Sequence, residues 1–219
     1  MANNGAGSAR ETVLARIRAA TDGAAEAVAI QSEWERIPRE YKRQATLGRT
    51  AILELLTDRL IDYDAHVVHV ARADVRNAVA HRLAARGASR MVIPTGLPQE
   101  WLPDGFVFAE DSGLPYADLN AVDGVLTAAT LAIAETGTIV LQNAAGQGRR
   151  AVSLVPDYHL CVVDAATVVE TVPEAMSQLA ATSELATTFI SGPSATADIE
   201  MTRIKGVHGP RFLDVIVVA

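Results

Sequence analysis

The sequence predicts an α/β protein: a mostly parallel sheet flanked by helices on both faces, preceded by an N-terminal helical arm. Three observations carry that prediction. Short apolar runs rich in Val and Ile recur along the chain, as strands do. Between them lie segments with apolar residues at helical spacing, and strands alternating with helices build parallel sheets covered on both faces. The final run, Phe212 to Val218, is apolar nearly throughout, which suits a strand buried on both sides in the middle of a sheet.

Residues 1–40 read as the arm and residues 41–219 as the main domain. Met1 to Gly7 is small and polar and is expected to be disordered. Val13, Leu14 and Ile17 share one face of a helix over about Ala9 to Ala20. Thr21 to Arg39, which ends near Pro38, reads as a loose connection. In the main domain, Ile52, Leu53, Leu56 and Leu60 recur at helical spacing as far as Ile61. Ala65 to Val70 is a strand. Asp74 then caps a helix to Arg86 that stops at Gly87. Arg90 to Ile93 and Phe106 to Phe108 are strands. So are Gly124 to Thr130 and Thr138 to Leu141, joined by an Ala-rich link with a polar tip. Leu160 to Val163 and Thr167 to Val169 are expected to pair as a hairpin about Asp164-Ala165-Ala166. Thr171 and Glu174 form a capping box that opens a helix to about Ala181. Phe189-Ile190 and the final run complete the sheet.

Composition removes several classes of function. The chain of 219 residues has a net charge of -7, which argues against a nucleic-acid partner. No basic amphipathic helix points to a membrane surface, and no apolar stretch is long enough to span one. No apolar signal segment follows Met1 to Ser8, so a cytoplasmic location is expected. One cysteine, Cys161, gives neither an internal disulfide nor the thiolate set of an iron–sulfur cluster. Any electrons this protein handles then belong to a partner or a bound cofactor.

Three polar stretches lie between apolar runs. The richest is Ser191 to Arg211, SGPSATADIEMTRIKGVHGPR. Ser191-Gly192-Pro193-Ser194 follows a strand and is expected to open a short helix whose free N–H groups hold an anion. Asp198 and Glu200, two apart, would diverge on a helix. Further on, Gly209 lets the backbone carrying His208 and Arg211 approach a ligand closely. The second stretch is Ala134 to Thr138. There Glu135 is a lone carboxylate in Ala/Ile/Val surroundings, and Thr136, Gly137 and Thr138 offer N–H and hydroxyl donors. A tight turn whose Glu pairs with an arginine is the plainer reading of it. The third is Asn143 to Pro156, where Gly146-x-Gly148 before Arg149-Arg150 suits an anion. It is not a dinucleotide fingerprint, for it lacks the third glycine and no helix is expected after it. A glycine loop with solvated arginines accounts for it about as well.

His159 stands just before a strand, where a structural hydrogen bond fits as well as proton transfer. No His, Asp or Glu spacing matches a metal site, and none is expected. His66 and His69, three apart on a strand, face opposite sides. Cys161 reads as an inert core thiol. The candidate catalytic groups are therefore Glu135 and His208. The candidate ligand contacts are Thr136, Gly137, Thr138, Arg149, Ser191, Gly192, Ser194, Asp198, Gly209 and Arg211.

Taken in order, DGVLT (Asp123 to Thr127), AIAETGTIVL (Ala132 to Leu141), GRR ahead of SLVPDYH, ISGPSATADIE and GVHGPR resemble the LutC/YkgG family, whose members carry the LUD (lactate utilisation) domain. The resemblance runs from about Tyr41 to the C-terminus, and its last two motifs are the most specific. It implies a fold like the NagB/RpiA/CoA-transferase superfamily. It also implies a part in oxidising L-lactate to pyruvate beside iron–sulfur proteins of the LutA and LutB type. The clusters would reside in those partners, with no cofactor in this chain. A small anionic ligand would be held by Arg149, His208 or Arg211 with the Ser191–Ser194 loop. The alternative is a stand-alone acyl- or phosphoryl-transferring enzyme of that superfamily, with Glu135 as nucleophile or base.

Overall fold

The computed structural model describes residues 8–20, 27–196, 204–205 and 209–219, so the expected disorder of Met1 to Gly7 lies outside the described residues. The chain divides into two compact units, residues 1–41 and 42–219. Within the first are α1 (Ala9–Ala20) and α2 (Ala27–Arg36). Val13 and Ile17 of α1 are exposed. Over Ala27–Arg36 the second helix corrects the loose connection read there, and Pro38 falls beyond its end; Thr21 to Glu26 lie outside the described residues. Gln31 Nε2 donates to Glu35 Oε1 across one turn at 2.8 Å. Arg39 closes the helix end, donating to the Trp34 carbonyl at 2.8 Å and stacking 4.8 Å from the Trp34 ring.

The second unit begins with α3 (Arg49–Asp62) and β1 (His66–Val70), then α4 (Val75–Arg86), β2 (Arg90–Pro94) and β3 (Val107–Asp111). Next come α5 (Tyr116–Asn120), β4 (Gly124–Ala128), β5 (Leu131–Ile133), β6 (Thr138–Gln142) and α6 (Arg150–Leu154). They are followed by β7 (Tyr158–Asp164), β8 (Val168–Val169), α7 (Val172–Leu179) and β9 (Thr187–Ile190). The last are β10 (Ala195–Thr196), β11 (Ile204–Lys205) and β12 (Phe212–Val218).

Six strands form a sheet in the order β1-β12-β7-β4-β2-β3, every neighbouring pair parallel. This is the expected sheet, and β12 lies inside it between β1 and β7, with Leu213 to Val218 buried. Helices cover both faces. On one, α4 buries Val75, Val79 and Leu83 at four-residue spacing over Met91, Leu126 and Leu160. It ends at Gly87, which takes the left-handed conformation at φ 67. Asp74 occupies the N-cap, but its side chain makes no capping bond. On the other face lies α3, with Ile52, Leu56 and Leu60 against Cys161, Val215 and Val217. There α5 and α6 also bury Leu119 and Val152 against Val92 and Val125. Among the described residues no helix is long and apolar enough to cross a membrane.

That second face also carries a separate four-stranded sheet, β8-β5-β6-β9, which the sequence reading merged with the first. The expected hairpin after Val163 does not form. The Asp164 carboxylate accepts from the Ala166 N–H at 2.9 Å and opens a single 3-10 turn. The chain thereby leaves the first sheet, and Val168-Val169 pairs in parallel with β5. Ala132-Ile133, read as part of a link, is a strand because its residues fill two cores in alternation. Ala132 packs toward α3, while Leu131 and Ile133 pack toward α7. Phe189-Ile190 likewise pairs with β6, not with the main sheet. The Thr171–Glu174 capping box opens α7 as read.

Candidate functional site

Two of the three polar stretches meet at the C-terminal end of α3. Gly137 (φ 57) sits so close that a Cβ there would lie 2.7 Å from the Arg59 Cβ, and one on Gly192 (φ 85) would lie 2.4 Å from the Tyr63 Cβ. Only glycine permits either approach. Because β6 and β9 are antiparallel neighbours, with Ile139 opposite Ile190, the two loops emerge side by side. A chain of hydroxyls links them: Thr136 Oγ1 to Thr138 Oγ1 at 2.7 Å, and Thr138 Oγ1 to Ser191 Oγ at 2.7 Å.

Ser191–Ser194 does not open a helix. It runs into β10, which pairs antiparallel with β11, and the Ser194 N–H donates to the Pro210 carbonyl at 2.7 Å. A donor the helix reading left for an anion is thus spent on the chain itself. The dipole argument falls with the helix.

The loop nevertheless roofs a cavity of about 240 Å³. Ser191 to Ala195 and Pro210 form one wall, Phe189 and Ile190 another, and Arg150 and Ser153 of α6 a third, with His159 and Leu213 completing it. The volume is below the roughly 300 Å³ at which pockets for drug-sized ligands begin, so it suits a small metabolite. His159 and Leu213 are each the second residue of their strand, so the cavity lies at the amino ends of β7 and β12. Arg150 is exposed and, among the described residues, makes no ion pair; its Nη1 donates to the Ser153 Oγ at 3.1 Å. Ser153 donates in turn to the Arg150 carbonyl at 3.3 Å, which fixes the hydroxyl that steers the guanidinium. His159 is buried, its Nε2 2.8 Å from Thr127 Oγ1. Burial, reinforced by the charge of Arg150, pushes the imidazole down to about 4, so it is neutral at neutral pH.

The other candidate residues lie elsewhere. Arg149 forms a two-point pair with Asp111 at 2.8 and 2.9 Å and donates to the Leu114 carbonyl at 2.6 Å. That guanidinium holds the Asp111 carboxyl below its usual range. The helix α6, which the sequence reading did not expect after the glycine loop, separates the two arginines. Arg149 is its extended N-cap, while Arg150 is its first helical residue. Arg211 pairs with Asp157 at 2.7 and 2.6 Å. Glu135 lies 3.0 Å from the Lys42 Nζ and does not line the cavity. Lys42 also pairs with Glu170, a fully buried carboxylate that accepts from the N–H groups of Thr46 at 2.6 Å and Leu47 at 2.9 Å. The Leu47 N–H and then the Lys42 ammonium bring it down to about 2. Asp198 and His208 lie outside the described residues. Gly209 adjoins the cavity wall, where a Cβ would lie 3.6 Å from that of Ser194.

The structure therefore joins Thr136, Thr138, Ser191, Gly192, Ser194 and Gly209, and directs Arg149, Arg211 and Glu135 to partners of their own. Ser153 was not among the candidates, and of Arg149-Arg150 the sequence favoured Arg149, whereas Arg150 lines the cavity. The three-residue spacing of Arg150 and Ser153 on one helix was the available signal. Cys161 is buried, and its thiol is pushed up to about 12 by that burial.

The LUD domain matches residues 46–218, which span both sheets and every wall of the cavity. The chain belongs to the LUD domain family. Among LUD relatives, lactate utilization protein C of Deinococcus radiodurans is 45% identical over 181 residues, 81% of this chain and 84% of that protein. Lactate utilization protein C of Anoxybacillus flavithermus is 26% identical over 188 residues, again 81% and 84%. A crystal structure of a DUF162 family protein from Deinococcus radiodurans superposes with a TM-score of 0.70 at 41% identity, covering 79% of this chain and 99% of that one.

Proposed function

We propose that this LUD protein serves lactate utilisation as a non-redox subunit. In this reading it takes part in oxidation of L-lactate to pyruvate beside iron–sulfur partners of the LutA and LutB type, and holds a small carboxylate in the cavity under the Ser191–Ser194 loop. The names of the relatives support the process. The ligand class rests on one observation: Arg150, which among the described residues has no ion pair, stands over a small cavity whose other polar ring is a neutral imidazole. A guanidinium matches a carboxylate with two parallel N–H donors, and a neutral neighbour does not compete for the anion. The oxidation removes two electrons and two protons from the substrate. A single cysteine, buried as a thiol, does not supply the thiolates of a cluster, so in this reading clusters of the partners would accept the two electrons while the two protons pass to solvent. The acyl- or phosphoryl-transfer alternative needs Glu135 at the ligand, whereas its carboxylate faces Lys42.

Reconstitution tests this. The chain mixed with its iron–sulfur partners should reduce an electron acceptor with L-lactate faster than the partners do without it. Equal rates with and without this chain would sink the proposal.

A further inference from the structure

We infer that His159 sets which oxidation state of the ligand the cavity accepts. Its Nδ1 lone pair takes a hydrogen bond from the hydroxyl of a 2-hydroxy acid whose carboxylate pairs with Arg150, and it disfavours the matching 2-oxo acid. The inference rests on the carboxylate reading given above.

The groups behind the ring admit a relay of hydrogen bonds that runs in one direction. Thr127, His159 and Cys161 lie on the same face of the adjacent strands β4 and β7, with Thr127 opposite Cys161. Cys161 gives its S–H to the Ala128 carbonyl, 3.9 Å away. Thr127 Oγ1 lies 3.6 Å from the Cys161 Sγ, and we assign its one hydroxyl proton to that sulfur. In this assignment the threonine oxygen is an acceptor toward His159, and the ring nitrogen 2.8 Å from it, Nε2, carries the imidazole hydrogen. A neutral imidazole protonated at Nε2 bears a lone pair at Nδ1. Among the described residues Nδ1 meets no protein group, yet no buried side-chain nitrogen or oxygen lacks a partner. The nitrogen therefore opens onto the cavity that the ring lines.

A 2-hydroxyl group donates to such a lone pair. A 2-oxo group brings only lone pairs of its own, so it repels Nδ1 and leaves that acceptor unmet by the ligand. The cavity thus holds the reduced acid and releases the oxidised one. Arg150 supplies affinity for either, and His159 supplies the difference.

Calorimetric titration of the full chain with L-lactate, pyruvate and propionate tests the two layers separately, since all three share a carboxylate and similar size. L-lactate should bind about tenfold tighter than pyruvate, with propionate weaker than L-lactate. Equal binding of all three overturns the selection by His159 and leaves the carboxylate reading standing; binding of none overturns the carboxylate reading. Thr127→Val keeps nearly the same shape but removes the acceptor behind the ring. The lactate-to-pyruvate ratio should then fall toward one while propionate affinity holds, and an undiminished ratio counts against the relay. Nitrogen-15 NMR of histidine-labelled wild-type chain reads the tautomer without any variant. Hydrogen on Nε2 and none on Nδ1 is expected for His159, and the reverse assignment overturns the inference.

Discussion

Tyr158 and His159 are neighbours on β7, and Leu213 and Asp214 on β12, so alternate residues of the same two strands serve opposite faces of one sheet. On the α4 face, Asp214 accepts from Arg82 Nε at 2.8 Å, Arg86 Nη2 at 2.6 Å and the Tyr158 hydroxyl at 2.9 Å. The guanidinium of Arg86 stacks 4.7 Å from the Phe212 ring, and Arg82 Nη1 lies 3.2 Å from His66 Nε2. Burial, then the nearby Asp214 charge, pushes the Tyr158 phenol well above its ordinary value. Every polar group there is answered by another. On the opposite face, among the described residues, the cavity has a cation without an anion and an imidazole with one nitrogen unmet. Buried charges that are fully paired hold a fold in register, whereas polar groups left open toward a cavity are what a ligand can complete.

The largest effect should come from breaking the closed face. Asp214→Ala strands Arg82, only 8% exposed, together with Arg86. Removing one member of a buried ion pair costs about 3–5 kcal/mol, because the remaining charge keeps its desolvation cost without compensation. Urea unfolding measures it, and a loss below about 1 kcal/mol would mean that the cluster does not hold the sheet together.

The open face carries a cost that depends on pH. The folded His159 pKa, about 4, is lower than the ordinary imidazole value of 6.5. Below about 6.5 the unfolded chain binds a proton that the folded chain refuses until about 4. Stability therefore falls as pH drops through that window, by on the order of 2 kcal/mol between pH 7 and pH 5 for this group. His159→Leu should flatten that part of the profile, in a range lying above the titration of paired carboxylates such as Asp157, which are held below their usual values. Parallel wild-type and variant profiles from pH 7 to 5 would show that the ring is not held neutral by its surroundings.

Much of the fold was legible because its signals are local. The four-residue apolar spacing of α4, the glycine that stops it and the Thr171–Glu174 box each specify their element within a few residues. The unbroken apolar run of β12 predicted its interior place. What was not legible depends on distant partners. Nothing in Val168-Val169 says that a one-turn helix moves it to a second sheet, and nothing near Ser194 says that its N–H is claimed by Pro210. The loops that border the cavity were legible, since clustered Gly, Ser and Thr between strands is a local pattern. Which arginine stands beside the cavity was not, because choosing between adjacent arginines requires Asp111, which lies 38 residues away in sequence. A lone Asp214 in an apolar strand was a visible signal of the closed face.

Those adjacent arginines give the finest form of the comparison, since they share charge, shape and sequence context. Arg149→Met removes the two guanidinium hydrogen bonds from Asp111, whose side chain is 5% exposed, and leaves that carboxylate only the Gly113 and Leu114 N–H groups on Oδ1. Such a loss should cost about 1–3 kcal/mol in urea unfolding. Arg150→Met removes an exposed cation that has no ion pair among the described residues, and its stability should stay within about 0.5 kcal/mol of wild type. Its effect belongs to binding: losing a charged donor to a carboxylate should weaken L-lactate affinity by on the order of tenfold or more. If Arg150→Met unfolded more easily while binding L-lactate normally, the roles of the two residues would be exchanged and the open face would lose its cation.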